Sequence, residues 1–500
     1  MTRTALALPL LLTPGLAFAD ITPEDVWANM QASYAAMGLE VSGTATRSGE
    51  TLTITDGAVT LTYPVIGGQM VATLPQMGLI AQGDGTVRVL TPDTYVISVT
   101  GDVPEEEAQF AIDVAISQNG SGTIASGDPG DITYVTDSGA LQVLVTSTEM
   151  AGEDASFTLE YKSDGSATST RVTEGDPLMI VGNSVETGAS TRFVMNGGGM
   201  SQESVTEGGS AAVEFSMALP SDMNILNLTP ALASGLALSA TVATGPSSSR
   251  TTTTVDGMAP SEQVQNMGNG SATMSLDASG LSLDASYAEF DAVITQPDMI
   301  PFPIAFSGTG AGGRFAIPMI ASEEPQGFVY ALNINGLEID DMIWGMVDPG
   351  ATLDRSPIDL ALDLQGDLQW NLDTLDFAAY ETLGMSGEMP VLPLSARIET
   401  LALTALGASV TGTGAFTFDP TDMATFPGVP RPEGSAKLSA TGLNGAIDQL
   451  VAAGLLPEDQ AGMGRMFMGM FSQSTGEDSL ETEVVITGDG GVILNGQPIR

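Results

Sequence analysis

Residues 358–372 read IDLALDLQGDLQWNL. Ile358, Leu360, Leu362, Leu364, Leu368, Trp370 and Leu372 fill one parity, and Asp359, Asp363, Gln365, Asp367, Gln369 and Asn371 fill the other. Period-two alternation of this length specifies a β-strand with one apolar and one wet face. At about 3.3 Å per residue it extends roughly 50 Å, far beyond an ordinary strand. The expectation is a long, curved sheet, with Gly366 as a place for it to bend.

Turn dipeptides indicate how such a sheet is strung together. Asp56-Gly57, Asp84-Gly85, Asn119-Gly120, Asp164-Gly165, Asn196-Gly197, Asp256-Gly257, Asn335-Gly336, Asp489-Gly490 and Asn495-Gly496 punctuate short alternating runs. Each pair is a hairpin signal. Spread along the chain, they predict serial antiparallel hairpins rather than βαβ units. The fold class expected is therefore mainly β (β-rich α+β).

Helical patterns appear in a few places. ITPEDVWANMQASYAAMG opens with Thr22 as N-cap, Pro23 at the first helical position and Asp25 at the third, a capping box. Val26, Trp27, Met30, Tyr34 and Met37 share a face, and Gly38 supplies the stop. LTPALASGLAL (228–238) is ambiguous between helix and strand. EIDDMIWGMVDPG (338–350) predicts a short helix ended by Asp348-Pro349. Residues 443–471 predict an αα-hairpin with Gly454 between its arms.

The N-terminus carries Arg3, the apolar run ALALPLLL (5–12) and Ala17-Phe18-Ala19. This is the pattern of a signal peptide over residues 1–19, cut between Ala19 and Asp20. It predicts export and a periplasmic location. No later stretch combines the length and freedom from charge that a membrane-spanning helix needs. Composition is richest in Ser, Thr and Gly over 245–275, the best candidate for a linker. A hinge there would divide the chain into β-rich halves, 20–260 and 261–500, unless the whole is one continuous elongated domain.

Several chemistries are excluded by what is missing. The chain has no Cys and no His, which removes the Ser-His-Asp triad, the Cys-His dyad and His- or Cys-ligated zinc. Lys162 and Lys437, the two lysines, lie in no Ser-x-x-Lys pattern, and no phosphate-binding Gly-rich loop or calcium loop is present. Fourteen basic residues against 61 acidic give a net charge of −47. Such a surface repels nucleic acid and anionic headgroups, and keeps the chain dispersed. No enzyme, cofactor or metal site is expected.

One motif resists this negative reading. MGRMFMGMF (463–471) places Met463, Met466, Phe467, Met470 and Phe471 on one side of a helix. Packing into a core is the first expectation for such a stripe. A face for an apolar ligand or partner is the second, and a Cu(I) clasp is the weakest.

The stretches PFPIAFSG (301–308), EIDDMIWGMVDP (338–349), GTGAFTFDPTD (412–422), GLLPEDQAGMGRMFMGMF (454–471) and GEDSLETEVVITGDGGVILNGQPIR (476–500), with ITPEDVWANM (21–30), resemble a family of exported alphaproteobacterial proteins, domain of unknown function 2125. The resemblance implies no reaction. The close DGGVILNGQPIR is also similar to that of AsmA-like periplasmic β-rich proteins, which implies lipid handling along a β-groove. The function expected is non-catalytic binding of lipid or of another envelope component. A structural, adhesin-like or matrix role without a small ligand is the alternative.

Overall fold

The computed structural model describes residues 20–500 apart from 64–67, 104–107, 151–155, 222, 225–226 and 377–389. The expected signal peptide therefore lies outside the described residues. The chain is mainly β, 62% strand, in one long antiparallel sheet of serial hairpins. Five short helices accompany it among the described residues: α1 (Pro23–Ala36), α2 (Thr229–Ala233), α3 (Asp341–Val347), α4 (Leu443–Ala452) and α5 (Glu458–Phe471).

The sheet has a crease. Strand Thr51–Tyr63 pairs through Thr51–Ile54 with Met77–Ala81, and through Ala58–Tyr63 with Gly68–Thr73. Two ladders leave it side by side. The first flank continues through Val87–Leu90, Gly122–Asp128, Asp131–Ser138 and on to Gly310–Ile317. The second runs through Thr94–Val103, Ala108–Gln118 and on to Ile300–Gly308. They rejoin on strand Gln326–Ile339, whose Val329–Asn335 pairs with the first flank and whose Glu338 and Ile339 pair with the second. Beyond it the first flank continues alone through Ile358–Trp370, Val391–Ala405, Ala408–Asp419, Arg431–Thr441 and Ser479–Ile486.

Between the two junctions, each passage of chain crosses from one flank to the other through a break of one to three residues. Backbone hydrogen bonds stitch the breaks together. Asn119 N donates to Ala140 O (3.0 Å), Asp164 N to Thr187 O (2.9 Å), Gly208 N to Ala189 O (2.8 Å) and Thr309 N to Asn335 O (2.9 Å). These bonds carry the backbone pairing across the fold line.

The crease corrects the reading of four turn dipeptides. Asp84-Gly85, Asn196-Gly197, Asp256-Gly257, Asp489-Gly490 and Asn495-Gly496 lie at chain reversals. Asn119-Gly120 and Asp164-Gly165 instead lie at breaks between flanks, and Asp56-Gly57 and Asn335-Gly336 lie inside single long strands. Gly336 has φ +59°, and its N–H donates to the Asp359 carboxylate (2.8 Å). A left-handed residue turns the strand without reversing it, as at a β-bulge.

The stretch 245–275 is likewise no linker. It contributes strands Ser247–Val255, Ser261–Met267 and Gly270–Asp277, hydrogen-bonded on both sides. The strands on either side of residue 260, Ser247–Val255 and Ser261–Met267, pair with each other as a hairpin.

The helices form where their caps direct. Thr22 and Asp25 make the reciprocal capping box, and Gly38 ends α1 at φ +76°. Residues 228–238 resolve into α2 followed by strand Ala237–Thr244. Asp340 caps α3 by accepting from Met342 N (2.8 Å). Residue 442, the N-cap of α4, is a glycine without a capping side chain, and the cap comes from Asp478 instead. Its carboxylate accepts from Asn444 N and Gly445 N, both at 3.0 Å.

Candidate functional face

Residues directly opposite one another in adjacent strands share a face, so the register traces what each face carries. On the first flank one row runs Ile132, Val172, Ile180, Met217, Leu238, Leu276, Leu281, Ile317. The next row toward the crease runs Phe215, Ala240, Met274, Leu283, Phe315, Tyr330, Leu364, Ile398. The alternation first seen at 358–372 is therefore one segment of an apolar face shared across the sheet. On the second flank the corresponding face carries Tyr95, Ile116, Val143 and Tyr161, then Phe193.

Part of this face is covered. α1 lays Val26 and Trp27 on Leu52, Ile54, Leu79 and Ile132, and α2 lays Ala231 and Leu232 on Leu178, Ile180 and Leu219. The Asn29 side chain, wholly buried, accepts from the Tyr134 hydroxyl (2.9 Å). Burial, and behind it the negative charge of Glu174, pushes the Tyr134 phenol far above its ordinary value. Tyr95, on the second flank, is raised by burial and by Tyr34 of α1. α1 thus packs on the apolar face of the first flank, and its Tyr34 lies toward Tyr95 on that of the second; between the two faces runs the trough.

The rest is open. Met274, Leu283, Phe315, Tyr330, Leu403 and Leu438 are 36–50% exposed, although all lie on the apolar parity. Single exposed apolar residues are ordinary on protein surfaces; a contiguous series on one sheet face is not.

Charge is segregated away from the trough. On the opposite face Lys162 pairs with Glu160 (2.8 Å), Arg192 with Glu203 (2.7 Å), Arg314 with Asp363 (3.4 Å) and Lys437 with Glu481 (3.0 Å). Among the described strands, every Lys and Arg takes that outer parity except Arg47, which pairs with Glu24 of α1 (3.0 Å). A wide dimple around Gly182, lined by Ser169, Arg171 and Glu214, belongs to the outer, charged face. Among the described residues no group of three or more carboxylates could hold a metal ion, and no helix is long and apolar enough to cross a membrane.

The methionine stripe does not form core. Met463, Met466, Phe467, Met470 and Phe471 are 40–58% exposed, and the buried residue of α5 is Ala461. The rings of Phe467 and Phe471 stack on each other with centroids 6.0 Å apart. The physical reason is the early end of the second flank: past strand Gln326–Ile339, among the described residues, it adds no further strand to stand opposite the helical hairpin. Its base is anchored to the sheet. Thr482, on the apolar parity of the last long strand, donates to Phe471 O (3.2 Å), as does Asn495 Nδ2 (2.8 Å). Of the expected cleavage residues, Ala19 lies outside the described residues, and Asp20 is the first described residue and is exposed.

Sequence reasoning missed the uncharged polar positions of the second flank, because the Ser/Thr-rich run was read as a linker. The signal that marks them is the parity of SSRTTTTV, with Arg250 on the outer face and Ser249, Thr251 and Thr253 on the inner.

Together the crease, the half-covered apolar face and the outward charge define a class: a β-rich, trough-forming sheet protein. The chain belongs to the family described as an uncharacterized protein conserved in bacteria (DUF2125), which it matches over residues 247–500. Comparison with curated proteins gives no match.

Proposed function

We propose that this protein holds or carries an apolar, chain-like ligand, a lipid, in its creased trough, without catalysing a reaction. The observation that carries the reading is the open stretch of apolar face from Met274 to Leu438, from which charged side chains are segregated. Acyl chains cover such a surface without needing polar partners, whereas water gains nothing from it. The leader-like residues 1–19 support a periplasmic site of action. The Met and Phe side chains of α5 suit a lid, since methionine adapts to varied apolar shapes.

Native mass spectrometry of the protein purified from its own periplasm tests this. The expected result is a lipid-sized adduct released by mild activation. Repeated absence of any adduct, with no affinity for labelled acyl probes, contradicts the proposal.

A further inference from the structure

The trough is not uniformly apolar. Strands Met200–Gly208, Ser247–Val255 and Ser261–Met267 lie side by side on the second flank. Their inner positions carry Ser204, Thr206, Ser249, Thr251, Gln263 and Gln265, between the apolar surfaces of Phe193 and Ile294. Ser204 and Thr251 hydroxyls bond each other at 3.0 Å, and Thr206 donates to Ser249 at 3.1 Å. Each hydroxyl keeps unused acceptor capacity, and both glutamines offer amide groups. The same passages of chain form first-flank strands Ala211–Leu219, Ala237–Thr244 and Gly270–Asp277, where the cover of α1 and α2 gives way to the open face. One inner carboxylate, Glu186, stands near the crease on strand Leu178–Thr187, beside Ser166 and Ala211. Burial raises its carboxyl above the ordinary range.

We infer that this neutral belt is a headgroup station, and that the ligand is an amphiphile with an uncharged, hydroxyl-bearing head rather than a phosphate. Hydroxyls and amides donate to and accept from hydroxyls at no charge-burial cost. Among the described inner positions of these strands a phosphate meets no lysine or arginine, and the Glu186 carboxylate at the crease adds a like charge. The inference rests on the lipid reading above and narrows it.

Three probes that share an eighteen-carbon chain separate the two: monooleoylglycerol, its phosphorylated counterpart lysophosphatidic acid, and 1-octadecene. The full chain should bind monooleoylglycerol about tenfold more tightly than lysophosphatidic acid, a preference worth about 1.4 kcal/mol. Ser204→Ala with Thr251→Val should weaken monooleoylglycerol severalfold and leave octadecene unchanged, which also shows that the variant is folded. Glu186→Gln should narrow the gap to lysophosphatidic acid. Equal binding of the two headed lipids, or a belt variant with the wild-type preference, overturns the headgroup station and leaves the trough intact. Failure of all three probes to bind overturns the trough reading as well.

Discussion

Asn29 and Tyr134 show what a buried polar pair costs when broken. Tyr134→Phe strands the Asn29 carbonyl oxygen inside the α1 contact, an expected loss of about 1–3 kcal/mol in chemical denaturation. Replacing both partners, as Asn29→Leu with Tyr134→Phe, should recover most of that loss, and equal losses in single and double variants would contradict the pairing. The Tyr134 phenol is raised in the folded chain, so its contribution is complete below the unfolded value near 10 and is lost as pH climbs beyond it. Asp478 works at the other end of the scale. Desolvation raises its carboxyl, but hydrogen bonds from Gly445 and Asn444 and the charge of Arg465 outweigh that and hold it low. A depressed carboxyl stabilises the fold above the unfolded value near 4, and the contribution drains away as pH falls through the folded one. Asp478→Ala should therefore lower the melting temperature at pH 7 and flatten its decline as pH falls below about 4. An unchanged acid limb would show that α4 is capped by something else.

At the scale of elements, two helices with similar sequence signals do opposite things. α1 and α5 both carry apolar stripes, yet Trp27 is buried and Phe467 is half exposed. Trp27→Ala should cost about 3–5 kcal/mol in unfolding experiments, the usual price of a vacated aromatic site. Phe467→Glu should change stability by no more than about 0.5 kcal/mol, while weakening capture of an acyl probe if α5 is the lid. A large stability loss from Phe467→Glu would mean that the stripe packs after all. This contrast marks the limit of what sequence makes legible. Periodicity names the apolar side of a helix; whether anything lies against it depends on where the second flank stops, a tertiary fact set some 150 residues earlier in the chain. The strands themselves were legible, as were the capping box of Thr22 and Asp25 and the helical hairpin. The crease was not, since an Asn-Gly or Asp-Gly pair in the sequence reads alike whether it makes a reversal, a break between flanks or a bend inside a strand.

The whole molecule is a sheet that sorts its chemistry by face. The −47 charge resides largely outside, where it aids solubility, and the trough is left to apolar side chains, an uncharged polar belt and the inner carboxylate of Glu186. The family shared over residues 247–500 covers the open half of the face together with α3, α4 and α5. The absence of cysteine from the chain makes the central claim directly measurable. A single cysteine at Leu283→Cys, inside the trough, or at Asp284→Cys, on the charged face one residue away, can carry a polarity-sensitive dye. Addition of monooleoylglycerol should shift the emission of the Leu283→Cys label to the blue and leave the Asp284→Cys label unmoved. Equal shifts at the two positions, or a shift at Asp284→Cys alone, would contradict the account.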